Sequence, residues 1–254
     1  MLDKSQLKPL STSAKTASEI AKFDQLAEEW RKQDGRFKQI SDFNRCRVNA
    51  MVAAISDHFE LDRNHSAPLT GLKILDIGCG AGLVCEGLAQ LGADVTGIDG
   101  SAVNIEVAKR NASSQSLAID YQHCLAEQLA TEATAPFDVV LNTEVIEHVD
   151  NQKQLTATCA ALTKPDGLLV MATINRTIKS FLVAILGAEY ILRMLPVGTH
   201  DWHWFVAPSQ IANWLQQQGF NQHTAIGVKY NPLTKKWRTS KDTSVNYMLF
   251  ASRH

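Results

Sequence analysis

Short apolar runs alternate with amphipathic segments through the central part of the chain. The apolar runs are followed by turn residues and predict five strands, at residues 73–77, 94–99, 118–123, 137–141 and 168–174. Between them, the pattern of apolar and polar positions predicts helices at residues 83–91, 102–112, 144–149 and 152–162. Strands that alternate with helices favour an α/β fold, in which a parallel sheet is covered by helices on both faces.

The two ends of the chain extend this pattern. Residues 224–228 and 245–251 predict two late strands that pair antiparallel at one edge of the sheet. Near the N-terminus, apolar residues three or four apart predict helices at residues 19–30 and 47–59. Residues 68–71 then form a linker into the sheet.

These elements predict one domain with two additions. Residues 1–18 are polar and predict a disordered tail, and a single domain follows over residues 19–254. Within that domain we expect an N-terminal helical cap at residues 19–67 and a helical insertion at about residues 176–205. No apolar stretch suits a secretory signal and residues 1–18 contain no arginine, so we expect a cytoplasmic protein without a signal or transit peptide.

Composition narrows the function classes. The 254 residues are 45% hydrophobic and carry a formal net charge of −1, which favours a globular protein and gives no general electrostatic reason for a nucleic-acid partner. The five cysteines form no Cys-x-x-Cys pair, so a disulfide framework or a cysteine-rich zinc site is not expected. A reducing compartment fits this cysteine usage.

A glycine-rich segment follows the first predicted strand. It reads Asp76-Ile-Gly78-Cys-Gly80-Ala-Gly82, and glycines at alternate positions let the backbone approach a ligand closely. Ligands of open α/β sheets bind at the carboxyl ends of the strands, which is where this segment lies. The alternative is a tight strand-to-helix turn without a ligand.

An acidic residue at the end of the second strand supports the hypothesis that the glycine segment binds a ligand. Asp99 lies 21 residues after Gly78, a spacing typical of a carboxylate that accepts hydrogen bonds from ribose hydroxyls. The alternative role for Asp99 is a helix cap, for which Ser101 competes. The dinucleotide fingerprint needs a glycine where this chain has Leu83, so a ribose-containing ligand without pyrophosphate fits better. S-adenosylmethionine (SAM) is such a ligand.

Three potential metal ligands follow the fourth strand. Glu144, Glu147 and His148 have the spacing of one helix face, and such side chains can bind Mg²⁺, Mn²⁺ or Zn²⁺. Other roles stay open: Glu144 could complement a helix dipole, Glu147 could be solvated and His148 could act as a general base.

The glycine segment, residues 75–82, resembles the first motif of the class I SAM-dependent methyltransferases. Residues 143–149, 187–193, 198–202 and 230–234 are similar to the ubiquinone-biosynthesis O-methyltransferases, and the resemblance covers roughly residues 20–252. It implies a Rossmann-like, seven-stranded sheet of order 3-2-1-4-5-7-6. It also implies SAM-dependent methylation of ring hydroxyls on polyprenylated phenols and quinols, namely 2-polyprenyl-6-hydroxyphenol and 3-demethylubiquinol.

The resemblance also implies roles for individual residues. A divalent metal would be held by Glu144, Glu147 and His148, and SAM would be bound by Arg47, Gly78, Gly80, Asp99 and Thr143. Arg47 would meet the methionine carboxylate, for which a guanidinium fork is suited. Arg45 is a rival, because this chain reads Asn44-Arg-Cys-Arg47 where the family often has Asn-Pro-Leu-Arg.

The insertion suggests a membrane contact. Residues 178–195 are mostly apolar, and their charged residues fall on a narrow stripe of a helical wheel, which is typical of an interfacial helix. A helix that covers the core of its own domain is the alternative. Because the substrate of the resembled family lies in the membrane, we expect peripheral contact with the inner membrane, directly or through other ubiquinone-biosynthesis enzymes. Alternative functions are methylation of another phenol, a nicotinamide oxidoreductase and a catalytically silent SAM-binding partner.

Overall fold

The computed structural model describes residues 10, 12–26, 35–131, 136–181, 201–231 and 233–253. Its strands are β1 (Lys73–Ile77), β2 (Asp94–Asp99), β3 (Asp120–His123), β4 (Phe137–Thr143), β5 (Thr163–Ile174), β6 (Asn221–Asn231), β7 (Lys236–Ser240) and β8 (Asn246–Ser252). Its helices are α1 (Ala14–Leu26), α2 (Gly35–His58), α3 (Leu83–Ala89), α4 (Ala102–Ser114), α5 (Ala126–Thr131), α6 (Gln152–Leu162), α7 (Ile178–Ser180) and α8 (Pro208–Gln216).

All eight described strands form one sheet of order β3-β2-β1-β4-β5-β8-β6-β7. Strands β1 to β5 pair parallel to one another, whereas β8 lies antiparallel to both β5 and β6. The predicted order is 3-2-1-4-5-7-6, and its sixth and seventh strands correspond to β6 and β8. The observed order of these seven strands therefore confirms the prediction. The sequence did not predict β7, which among the described strands pairs with β6 alone, at the edge of the sheet, and has no fully buried residue.

The sheet is covered by helices on both faces, as the alternation of elements predicted. Successive residues of a strand point to opposite faces. Ile74 therefore joins one apolar cluster with Met51 of α2 and Leu88 of α3. Leu75 joins the other cluster with Leu155 of α6 and Ile211 of α8. The residues of both clusters are buried, and a close-packed interior deforms little. The packing therefore fixes the positions of the carboxyl ends of the central strands.

The N-terminal part differs from its prediction. Helix α1 begins at Ala14, so the predicted disordered tail is wrong for residues 14–18. Helix α2 begins at Gly35, twelve residues before the predicted start at residue 47. Its first turns carry Ile40 and Phe43 at helical spacing, but the polar residues around them and Gly35 led to the later predicted start.

The insertion is described only in part. Its predicted interfacial helix, residues 178–195, begins with the short α7, and residues 182–200 lie outside the described residues. Among the helices that the structure describes, none has the length and apolar character needed to cross a membrane.

Candidate functional site

A cavity of about 330 Å³ opens at the carboxyl ends of β1, β2 and β4. Its walls come from the glycine segment, the segment after β4 and the helices α1 and α2. All eight residues predicted to bind cofactor or metal line it, namely Arg47, Gly78, Gly80, Asp99, Thr143, Glu144, Glu147 and His148. The sheet thus brings together residues that lie up to about 100 positions apart in the sequence.

The glycine segment needs its glycines for two different reasons. Gly78 has a φ of 76°, and a Cβ there would overlap the Val145 side chain. Gly80 has a φ of 53°, but a Cβ there would meet no atom within 4 Å, so its open side faces space rather than protein. Gly78 therefore permits close packing, whereas Gly80 leaves room beside the backbone for a ligand.

Asp99 ties this segment to the end of β2. Its Oδ2 accepts a hydrogen bond from the Gly80 amide at 2.9 Å, and its Oδ1 accepts one from the Ser101 amide at 2.7 Å. Burial raises the pKa of Asp99, although these donors oppose the shift. Ser101, rather than Asp99, caps α4 by accepting from the Asn104 amide at 3.0 Å. The capping alternative for Asp99 is therefore wrong.

Arg47 presents a buried cation to the cavity from α2. Its side chain is 6% exposed, and Nη1 donates to Glu144 Oε1 at 2.8 Å. Nη2 donates to Asn44 Oδ1 at 2.6 Å, and the guanidinium lies 4.7 Å from the centroid of the Phe43 ring. Its Nε is buried without a hydrogen-bond partner in the described part of the chain. An unpartnered donor on a buried cation suits an anionic ligand.

The rival arginine lies elsewhere. Arg45 is 70% exposed, forms an ion pair with Asp42 and does not line the cavity. Two residues that lie two positions apart face different sides of a helix. Since Arg47 faces the cavity, Arg45 points away from it.

The segment after β4 is not the α-helix that the sequence predicted for residues 144–149. Glu144 has a φ of 57°, in the left-handed region, and its amide donates to Ala172 O on β5 at 2.8 Å. Only Ile146–His148 form a short 3-10 turn. The prediction is wrong because the sheet edge holds the Glu144 backbone, so the three side chains do not share a helix face. Positive φ at a non-glycine residue is a strained conformation that often occurs at functional sites.

The two glutamates after β4 lie next to one another. Glu147 is buried, and its Oε2 accepts from Thr173 Oγ1 at 2.7 Å. Burial, and then the charge of Glu144, raise the pKa of Glu147 well above its usual range. Its Oε1 is buried without a hydrogen-bond donor among the described residues.

His148 has a different partner. Its Nδ1 lies 2.8 Å from Glu19 Oε2 on α1, and this contact is the main reason that the pKa of Glu19 falls to about 2. Glu19 is a cavity residue that the sequence did not reveal. The predicted amphipathic helix placed its neighbour Ile20 on an apolar face but gave no sign of the histidine partner.

The positions of Glu144, Glu147 and His148 determine whether they can hold a divalent metal together. No three His, Cys, Asp or Glu residues within the described ranges are arranged to hold a metal ion, so the predicted three-ligand set is not assembled here. The adjoining carboxylates of Glu144 and Glu147 do fit a cation, because one buried oxygen lacks a donor. Mg²⁺ is often held by only one or two protein carboxylates, with substrate oxygens and water as its other ligands.

Helix α1 closes one side of the cavity through Thr16, Glu19 and Ile20. Lys15 donates to Val149 O at 3.2 Å, and Asp24 accepts a hydrogen bond from Ser101. The helix therefore contacts both the segment after β4 and the end of β2.

The chain is similar to methyltransferases along most of its length. A family model described as a methyltransferase domain matches residues 43–225. The ubiquinone biosynthesis O-methyltransferase of Maricaulis maris is 49% identical over 235 residues, which cover 92% of this chain and 92% of that protein. Proteins of the same name from Caulobacter sp. (strain K31) and Brucella anthropi are 43% and 46% identical, and each alignment covers 93% of this chain. These alignments cover 94% and 95% of the two proteins.

Solved structures share the fold at low sequence identity. The magnesium protoporphyrin IX methyltransferase of Synechocystis with bound SAH has a TM-score of 0.66 and 19% identity, over 92% of this chain and 95% of that one. The same enzyme with bound SAM gives a TM-score of 0.66 and 18% identity, over 96% of this chain and 100% of that one. These likenesses identify the Rossmann-like fold of SAM-dependent methyltransferases.

Proposed function

The chain belongs to the ubiquinone biosynthesis O-methyltransferases, and from that premise we propose that it methylates 2-polyprenyl-6-hydroxyphenol and 3-demethylubiquinol with SAM as methyl donor. The observation that carries this proposal is the cavity in which a glycine segment, a buried arginine and two adjoining carboxylates meet. The side with the glycine segment and Arg47, here called the cofactor half, suits a nucleoside with an amino-acid tail. The side with Glu144 and Glu147, here called the substrate half, suits a ring hydroxyl.

The cofactor half is proposed to hold SAM by complementary groups. Asp99 accepts hydrogen bonds from the ribose hydroxyls, and Gly78 and Gly80 let the backbone approach the ligand. Arg47 binds the methionine carboxylate through donors that include its unpartnered Nε. Thr143, at the end of β4, completes this half.

The other half has to generate a phenolate. A phenol with a pKa of about 10 requires roughly 4 kcal/mol to ionise at pH 7, at about 1.4 kcal/mol per pH unit. A divalent cation held by Glu144 and Glu147 would supply part of this by stabilising the negative oxygen. His148 lines the same cavity, with Nδ1 2.8 Å from Glu19 Oε2, and we propose it as the group that accepts the phenol proton.

The methyl transfer itself needs little further chemistry from the protein. SAM, held by Arg47 and Asp99, would supply an electrophilic methyl group that passes to the phenolate oxygen and leaves the sulfur as a neutral thioether. Rate then depends mainly on holding the two reactants in register and on excluding water. The closed side of the cavity formed by α1 serves both purposes.

The test is transfer of labelled methyl from SAM to a short-tailed demethylubiquinol, with and without chelator. Label in the quinol is the expected result, with a rate that falls in chelator and recovers with Mg²⁺. Unchanged rates in chelator would remove the metal role of the glutamates. SAM binding without any labelled product would favour another phenol or the catalytically silent alternative, and a melting shift with NAD instead of SAM would favour an oxidoreductase.

We further propose peripheral contact with the inner membrane around residues 178–195. The described start of this segment supports it, because Ile178 and Phe181 are 79% and 40% exposed. Co-sedimentation with lipid vesicles is the test, and Ile178→Asp with Phe181→Asp should reduce the bound fraction. Binding that these changes leave intact would place the contact elsewhere on the chain, whereas no binding by the unchanged protein would favour contact through partner enzymes.

A further inference from the structure

The proposed cofactor site contains an arginine that already has an anionic partner. Arg47 donates to Glu144 at 2.8 Å, whereas its other side-chain acceptor, Asn44, is neutral. Resting on the proposed function, we infer that Glu144 and the carboxylate of the cofactor compete for the charge of this one guanidinium. Cofactor binding then weakens the Arg47–Glu144 pair and releases Glu144 toward the substrate half.

The competition follows from the burial of the arginine. The Arg47 side chain is 6% exposed, so its charge is poorly screened and a carboxylate nearby interacts with it strongly. A second carboxylate at the same guanidinium meets a cation that is already neutralised. It also meets the negative charge of the first. Each anion therefore lowers the affinity of Arg47 for the other.

Glu144 is the partner that can leave. Its side chain is 31% exposed, so its carboxylate regains solvent contact when it parts from Arg47. Its backbone stays fixed, because the amide donates to Ala172 O at 2.8 Å. The released carboxylate remains beside Glu147 at the substrate half of the cavity. Glu144 is in this sense a positioning residue: it holds Arg47 in place until a ligand carboxylate takes over.

Thermodynamic reciprocity makes the coupling measurable from the cofactor side. If the cofactor loosens the hold of Arg47 on Glu144, then removing the charge of Glu144 must tighten cofactor binding by the same factor. Glu144→Gln keeps the shape and an acceptor oxygen while it removes the charge. A stabilising contact without competition would give the opposite result, a weaker complex.

The experiment measures the Kd values of two ligands by calorimetry in buffer with chelator, so that no cation competes for Glu144. S-adenosylhomocysteine carries the amino-acid carboxylate, and 5′-methylthioadenosine shares the nucleoside and sulfur but lacks the whole amino-acid tail, both its carboxylate and its ammonium group. We expect Glu144→Gln to bind S-adenosylhomocysteine about 10-fold tighter, within the range of measured couplings, and to bind 5′-methylthioadenosine as the unchanged protein does.

A matched control separates this pairing from the general charge of the cavity. Glu19→Gln removes the same charge from another cavity residue that does not bond to Arg47. It should alter the affinities of the two ligands by the same factor. Glu144→Asp, which keeps the charge but shortens the side chain, should give an intermediate gain for S-adenosylhomocysteine and serves if Glu144→Gln folds poorly.

The outcomes distinguish the inference from the function on which it rests. Unchanged or weaker S-adenosylhomocysteine binding by Glu144→Gln overturns the competition, even if the enzyme is active. Equal tightening of both ligands overturns it too, because the effect would not depend on the carboxylate. If the unchanged protein binds neither ligand, the proposed cofactor site itself fails.

Discussion

The two halves of the cavity are built in different ways. The cofactor half consists mainly of one continuous segment, residues 76–82, joined by Asp99 to the next strand. The substrate half is assembled from side chains distant in sequence, such as Glu19 with His148, and the bond from Arg47 to Glu144 connects it to the cofactor half. A ligand bound through backbone can be predicted from a local motif, whereas a site of converging side chains depends on the packing of several elements.

The largest expected effect comes from breaking the continuous half. Gly78→Ala combines a left-handed backbone, at about 1–2 kcal/mol, with an overlap against Val145 of about 1–3 kcal/mol. We expect a loss of roughly 2–5 kcal/mol in the free energy of unfolding.

Gly80→Ala is the matched control for that change, since its φ is also positive but its Cβ meets no neighbour. It should cost about 1–2 kcal/mol of stability. Chemical denaturation of both variants gives the comparison, and equal losses would show that Val145 does not limit the space at Gly78.

Arg47 contacts both halves of the cavity. Arg47→Ala should therefore remove the hydrogen bond to Glu144 and weaken the binding of the cofactor. Truncating one partner of a buried, hydrogen-bonded charge pair across a binding interface costs about 2–5 kcal/mol, and Arg47 is proposed to form such a pair with the ligand carboxylate, so we expect a large loss of S-adenosylhomocysteine affinity. Arg45→Ala removes an exposed arginine of the same helix and should leave that affinity unchanged. Calorimetry on both variants is the measurement, and an equal loss in Arg45→Ala would reverse the assignment.

Asp76 tests the cost of a buried acid at the start of the glycine segment. Burial raises the pKa of Asp76 from 3.8 to about 6. The folded protein therefore binds the proton more tightly than the unfolded chain, and stability falls as pH rises from about 4 to 6.

Asp76→Asn should remove that loss. We expect the variant to gain up to about 3 kcal/mol over the unchanged protein at pH 7, and little at pH 4, from about 1.4 kcal/mol per pH unit. Denaturation at the two pH values measures the difference. A gain that is the same at both would show that protonation of Asp76 is not its source.

Asp99→Asn is a milder change in the cofactor half. It removes the charge that accepts from Gly80 and, as proposed, from the ribose, so affinity for S-adenosylhomocysteine should fall by about 1.5–3 kcal/mol. Binding of free methionine, which has no ribose, should be unaffected by this change and serves as the control in the same calorimetric measurement. A variant that keeps full cofactor affinity would contradict the ribose role.

The smallest expected effect lies in the substrate half. Thr173→Val removes the hydroxyl that donates to Glu147 at 2.7 Å while keeping the side-chain shape. We expect a stability loss of about 1–3 kcal/mol and slower methyl transfer, with S-adenosylhomocysteine affinity unchanged. A parallel loss of cofactor affinity would break the distinction between the two halves.

Local sequence signals predicted the elements that carry their own pattern. The strands at residues 73–77 and 94–99 and the helix at residues 152–162 have the predicted bounds, because apolar periodicity and flanking turn residues are local. The same signals failed at residues 144–149, where helical spacing was present but the sheet edge imposed a left-handed residue. They also missed β7, which is polar and forms a strand only by pairing with β6.

The candidate site follows the same division. The sequence by itself determined the α/β order, the glycine segment and the acid that follows it, since these depend on backbone freedom and short spacing. Only the tertiary structure decided that Arg47 rather than Arg45 faces the cavity, and that Glu144 is its partner from 97 positions away. It also brought Glu19 of α1 to His148, across 129 positions. Such contacts arise when separate elements pack on one sheet, and no periodicity within either element encodes them.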